Sequence, residues 1–208
     1  MQRFRFDTVD STNEQAKRLL ATGHIGELAC VTARCQTAGK GTRGRSWVSP
    51  RDAGIYLSVV QVGGQAPLPA TTAYTLAAGV ACVETLIEMT GATVHLKPIN
   101  DIYLERGKLG GILTEAVTHA RGMAVLITGV GINLFRADRP ASTDGAAATC
   151  LEDALGPLRM AELNLDELIE ALACGIGRWN QVVIRGDAQR VRQAWQRYAL
   201  PGADLPPC

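Results

Sequence analysis

Between Gln36 and Gly54 the chain passes through a stretch rich in glycine, arginine and lysine and poor in apolar residues. Its centre, Gly39-Lys40-Gly41-Thr42-Arg43-Gly44-Arg45, holds three glycines and three cations in seven residues. Glycines let backbone N–H groups approach an anion closely, and the cations supply charge for a phosphate or carboxylate. Trp47 follows almost at once, and an aromatic beside an anion-binding loop suits a nucleotide, whose base needs a stacking platform. The segment formally matches G-x-G-x-x-G, but a dinucleotide fingerprint opens a helix, whereas Ser46-Trp47-Val48-Ser49-Pro50 does not. No G-x-x-x-x-G-K-[ST] phosphate loop fits either. The competing reading is a solvated loop, with Trp47 serving a core.

Two further segments put glycine where a strand would not want it. Lys108-Leu109-Gly110-Gly111-Ile112-Leu113-Thr114-Glu115 and Gly129-Val130-Gly131-Ile132-Asn133 both interrupt extended, apolar patterns, which costs stability unless something packs closely there. Singly each is a bulge or tight strand packing. Together they describe a sheet surface kept bare so that a ligand can lie on it. Lys97, at a strand end before Pro98-Ile99-Asn100-Asp101, is by itself an edge-blunting lysine.

Other chemistries find little support. His24, His95 and His119 show no H-E-x-x-H or Cys/His spacing for zinc, and no G-x-S-x-G elbow exists. The six cysteines include no C-x-x-C pair, and the chain is long enough not to need staples, so reduced thiols and a cytoplasmic location are expected. Cys35 adjoins the ligand loop, but no histidine lies near it in sequence to activate it, so it reads as a structural thiol. The N-terminus lacks a signal-peptide core, no apolar run approaches membrane-spanning length, and the formal net charge is +1. Neither a membrane nor nucleic acid is therefore an expected partner.

These residues need a scaffold, and periodicity supplies one. Strands are expected at residues 3–9, 28–35 and 55–62, then 93–97, 101–105, from the hairpin at Glu105-Arg106-Gly107-Lys108 through about 118, and 123–134. A helix near 13–22 follows the capping side chains of Asp10-Ser11-Thr12-Asn13, and another is expected at 71–90 after a turn at 63–69. Residues 136–148 read as loop, 149–200 as helical, and the tail from Pro201 as frayed. Irregular alternation with hairpins favours an α+β fold, a mixed central β-sheet with flanking helices, over a doubly wound parallel one. Length fits a single domain over 1–208, with a core at about 1–135 and a helical part at about 149–200.

The motifs become specific in combination. Asp10 to Asn13, Gln36 to Trp47, Lys97 to Asp101, Lys108 to Glu115 and Gly129 to Asn133 resemble, in order, the motifs of the biotin protein ligases. The usual family forms are DSTN, a GRGRxGR-type loop followed by Trp, KWPND, KxxGIL-x-E and GxGxN. The resemblance implies a biotin/lipoate protein ligase-like fold and a two-step, ATP- and Mg2+-dependent reaction. Biotin is first adenylated to biotinyl-5'-AMP, then transferred to a lysine of a biotin carboxyl carrier protein. It further implies that Ser11, Thr12, Asn13 and Gln36 contact biotin. Gly39, Lys40, Gly41, Thr42 and Gly111 belong to the biotin and adenylate site, Arg43 and Arg45 support phosphates, and Trp47 packs near adenine. Lys97 would bridge carboxylate and α-phosphate, and Asn133 would face the adenylate or its magnesium, with no metal site built into the protein itself. A homodimer stays open, since relatives include monomers and sheet-extended dimers.

The match has departures. KWPND becomes Lys97-Pro98-Ile99-Asn100-Asp101, and two loop arginines become Lys40 and Thr42. These leave open a ligase or transferase for lipoate or octanoate, or a non-catalytic biotin- or adenylate-binding relative. Neither the N-terminal DNA-binding domain nor the C-terminal β-barrel of many relatives is expected.

Overall fold

Strand alternation sorts the apolar residues between two unequal cores. In this computed structural model, which describes residues 1–65, 70–119, 122–141 and 145–205, seven strands form one sheet. They are β1 (Gln2–Val9), β2 (Leu28–Gln36), β3 (Gly54–Gln65), β4 (Val94–Lys97), β5 (Asp101–Leu104), β6 (Gly107–Thr118) and β7 (Met123–Asn133). The spatial order is β1-β2-β3-β7-β6-β5-β4. Only β1 and β2 run parallel; the other neighbours are antiparallel. The expected mixed sheet with flanking helices is therefore what forms.

One sheet face carries the larger core. Ile55, Leu57 and Val59 of β3, with Leu126, Val130 and Ile132 of β7, meet α2 (Thr71–Thr90). This helix is apolar almost all round, as a helix must be when it is covered on both sides. Its outer side is covered by α4 (Leu165–Ile184) and α5 (Ala188–Arg197), through Leu168, Leu172, Ile176, Val191 and the fully buried Trp195. It stops at Gly91, whose φ of 68° gives the left-handed cap and whose N–H returns to the Ile87 carbonyl. The Arg159 guanidinium, on α3 (Leu151–Glu162), donates to the Thr90 carbonyl and satisfies another terminal acceptor. A buried amide pair, Asn180 donating to Gln61 at 3.1 Å, fixes α4 over β3.

The opposite face is covered only in part. Here α1 (Thr12–Ala21) packs Ala16 and Leu20 on Ala29, Val31, Val60, Val125 and Ile127. The remaining stretch of this face, over β3, β7 and β6, has glycine at Gly111, Gly129 and Gly131. The strand expected at 55–62 runs on to Gln65, because the Gly63-Gly64 pair is absorbed by an irregularity in the pairing with β7 between Val62 and Gln65. The rest of the turn expected at 63–69, residues 66–69, lies outside the described residues.

Trp195 closes the far side of the larger core, so Trp195→Ala is expected to lower unfolding free energy by about 3–5 kcal/mol. Urea denaturation followed by circular dichroism measures it; a shift below about 1 kcal/mol would show that α5 contributes little to the core.

Candidate active site

The open part of the sheet is a glycine floor. Ser58 of β3, Gly129 and Gly131 of β7, and Gly111, Leu113 and Glu115 of β6 all present the face that α1 covers in part. Register sets Ser58 and Leu113 on either side of Gly129, and Gly111 beside Gly131. A β-carbon at Gly131 would collide with the Trp47 indole, one at Gly129 would lie 2.6 Å from Asn13 Oδ1, and one at Gly111 3.3 Å from the indole ring. The floor is bare because a tryptophan and an asparagine lie directly on it. Over it opens a cavity of about 360 Å³, within the range of small-molecule sites.

The glycine-rich segment roofs this cavity as an ordered ribbon. Gln36 bridges Ser49, Lys40 bridges Ser46, and the Gly41 and Trp47 amides donate to the Arg45 and Gly39 carbonyls at 2.7 and 2.8 Å. The tip is one short turn, Thr42–Gly44, with Arg43 in the left-handed region at φ 57°. The Arg45 guanidinium donates to the Thr42 carbonyl at 3.1 Å and to Thr42 Oγ1 at 2.7 Å. Thr42 thus braces the cation beside it.

At one end of the cavity the wall is polar and buried. Gln36 Oε1 accepts from the Thr12 amide at 2.8 Å, and Gln36 Nε2 donates to Ser49 Oγ at 2.7 Å. Ser58 Oγ lies 2.8 Å from Thr12 Oγ1 and 2.6 Å from Asn13 Oδ1, and Asn13 Nδ2 donates to Glu115 at 2.8 Å. The chain continues outward through ion pairs: Glu115 to Lys17 and Lys17 to Glu14 at 2.8 Å, then Glu14 to Lys40 at 2.7 Å. Hydrogen bonds from Lys17 and then Lys40 hold the Glu14 carboxyl below its ordinary range. Burial of Lys17 opposes its charge, but the hydrogen bonds it donates to Glu115 and Glu14 outweigh it and raise its pKa. Ser11, the residue before α1, makes no cap to the helix with its hydroxyl and lines the cavity. Just before it, a hydrogen bond from Arg18 holds the Asp10 carboxyl down to about 2.

Toward the other end the walls are an aromatic ring and cations. Lys108 Nζ sits 2.7 Å from Asp101 Oδ1 and 5.9 Å from the centre of the Trp47 ring. Asn133 Nδ2 donates to the Thr149 carbonyl at 2.9 Å, while its Oδ1 is buried with no hydrogen-bond partner among the described residues. Arg139 lines the cavity and donates to the Ala53 and Phe135 carbonyls.

Of the residues singled out in the sequence, the fold brings Ser11, Thr12, Asn13, Gln36, Lys40, Gly41, Thr42, Arg45, Trp47, Gly111 and Asn133 to this one cavity. Gly39, Arg43 and Lys97 are not in its lining. Gly39 packs under the Trp47 carbonyl, where a β-carbon would collide. Arg43 is exposed at the ribbon tip. Lys97 lies at the sheet edge. It ends the edge strand β4 opposite Asp101, and its ammonium lies 5.1 Å from the Tyr103 ring centre and 3.5 Å from Tyr103 Oη. Asp101 extends instead to Lys108, which does line the cavity. Lys108 and Asn100, quoted in the family motifs but given no site role, and Arg139 also line the cavity. Lys108 had a signal, its place just before the floor glycines; Arg139 sat in an expected loop and had none.

A mixed sheet with a glycine floor, a glycine-rich cationic ribbon and a polar end pocket defines an α+β domain with a candidate ligand cavity. The biotin/lipoate A/B protein ligase family model matches residues 6–133, and the chain belongs to that family. It is 32% identical over 188 residues to the biotin–[acetyl-CoA-carboxylase] ligase of Paracoccus denitrificans, covering 89% of this chain and 76% of that one. It is 38% identical over 130 residues to the bifunctional ligase/repressor BirA of Escherichia coli K12, covering 61% of this chain but only 38% of that protein's length. The structure of the Aquifex aeolicus biotin protein ligase in complex with biotin and ATP superposes with a TM-score of 0.76 at 24% identity, over 96% of this chain and 78% of that one.

The glycine floor makes a direct forecast. Gly131→Ala should shift the Trp47 indole N–H resonance in a ¹H–¹⁵N spectrum while leaving those of Trp179 and Trp195 in place. An unmoved Trp47 signal would mean that the ring does not rest on the floor.

Proposed function

We propose that the chain is an ATP-dependent biotin protein ligase, forming biotinyl-5'-AMP and passing biotin to a lysine of a biotin carboxyl carrier protein. One observation carries the reading: a buried polar pocket and a cation-lined aromatic cleft share a single glycine floor, the arrangement that an adenylation of one small molecule by another would use. The name of the Paracoccus relative and the biotin and ATP bound to the Aquifex protein support the same choice of substrates.

In this reading Ser11, Thr12, Asn13 and Gln36 hold the polar ring of biotin, and Trp47 covers the nucleotide side. A biotin carboxylate oxygen attacks the α-phosphorus of ATP and pyrophosphate leaves. Two anions must meet, so fixed cations lower the barrier most. Lys108 takes the bridging role between carboxylate and α-phosphate, Lys40 and Arg45 add charge from the ribbon, and Arg43 reaches phosphate only if the tip folds inward. Asn133 Oδ1, a buried oxygen without a partner among the described residues, suits the adenylate or the Mg2+ that accompanies ATP. The carrier lysine then attacks the mixed anhydride and AMP leaves.

Comparing two lysines decides the assignment. Lys108→Ala should lose at least ~10²-fold in biotin-dependent pyrophosphate release, whereas Lys97→Ala should stay within about threefold of the parent, because a group outside the cleft contributes little to charge developing within it. The opposite ranking would restore the bridging role to Lys97. Release driven by lipoate and not by biotin would change the acid.

Thr42 stands where the family loop has arginine, so the ribbon grips the adenylate with one charge fewer. Thr42→Arg should slow escape of free biotinyl-5'-AMP by about tenfold, the effect of one charge-assisted hydrogen bond. Equal escape rates, measured by trapping released adenylate, would end the idea.

A further inference from the structure

Lys40 lines the cavity, yet its ammonium is drawn to Glu14 on the first turn of α1, 2.7 Å away, and Glu14 is not among the residues that line it. We propose that Glu14 is a built-in competitor: its carboxylate contends with the ligand's own carboxylate for the Lys40 ammonium and so sets how tightly the acid is held. The proposal rests on the reading of this cavity as a biotin site.

The geometry suits an exchange. Lys17 Nζ lies 2.8 Å from the same Glu14 oxygen that Lys40 reaches, and it stays anchored to Glu115 as well. When Lys40 turns to a ligand, Glu14 therefore keeps a cation, and its position in the first helical turn keeps it stabilised by the helix dipole. Only one ion pair is given up, and its lysine is half exposed, at 50%. Pairs that exposed shift equilibria by no more than about fivefold. The contact is thus weak enough to yield and strong enough to register.

A passive anchor would behave differently. If Glu14 merely held the ribbon over the cavity, removing its charge would loosen every ligand beneath, charged or not. A competitor acts only on ligands that want the same lysine.

Isothermal titration of the full chain with biotin and with its neutral carboxamide separates the two. Glu14→Gln is expected to tighten biotin about two- to fivefold and leave the carboxamide unchanged. In a Lys40→Met background the same substitution should do nothing to either compound, because the coupling runs through that lysine. Biotin affinity that falls or stays put in Glu14→Gln, or acid and amide moving together, would overturn the proposal. A parent protein that binds neither compound would instead overturn the ligand reading beneath it.

Discussion

The packing of the Trp47 indole onto side-chain-free backbone at Gly131 is the constraint on which the site depends. A sheet normally covers its faces with alternating side chains, and a roof laid on such a surface would leave no slot for a ligand. Removing the β-carbons at Gly111, Gly129 and Gly131 lets the ribbon approach the strands to ring-contact distance. Trp47 is tied in turn to Gly39 through its amide, so the floor positions the ribbon and the ribbon positions Lys40 and Arg45. Glycine weakens a strand, and the compensation lies on the reverse face. There Thr128, Val130 and Ile132 alternate with the bare positions, and Val130 and Ile132 are packed into the core beneath α2. The floor can be thin because its underside is rigid.

Polarity in the site is graded by depth. Ser58, Thr12 and Asn13, nearly sealed from solvent, are neutral and bonded to one another. Glu115 and Lys17 come next at about a quarter exposed, and Lys40, half exposed, comes last. An unpaired buried charge costs far more than a bonded hydroxyl or amide, so this order places charge where desolvation is cheapest. It also leaves the deep pocket matched to a neutral, hydrogen-bonding group, with the charges of the ribbon held nearer the mouth.

Much of this was readable from the chain, and what was not shares a cause. The helix at 71–90 and most strands follow from periodicity, which is a local property. The ribbon over 36–49 reads as loop because its two sides pair only through isolated bridges, Gln36 to Ser49 and Lys40 to Ser46, and its composition carries no strand signal. The choice between Lys97 and Lys108 depends on which lysine Asp101 meets across β5 and β6. That is fixed by a register shift between Ile102 and Tyr103, and nothing in the residue types announces it. Ser58 lies in a β-branched run whose periodicity marks only a strand, although its hydroxyl meets both Thr12 and Asn13.

The family's departures take on a different meaning in this geometry. Read singly, Thr42 is a lost cation. In the fold it accepts from Arg45 through both its carbonyl and its hydroxyl, so it trades a charge of its own for a fixed orientation of its neighbour's. Lys40 shows the same economy. An ammonium lacks the bidentate fork of guanidinium, and a single-point donor is easier to hand from one carboxylate to another. A ribbon with fewer forks and more exchangeable contacts holds an anion less permanently.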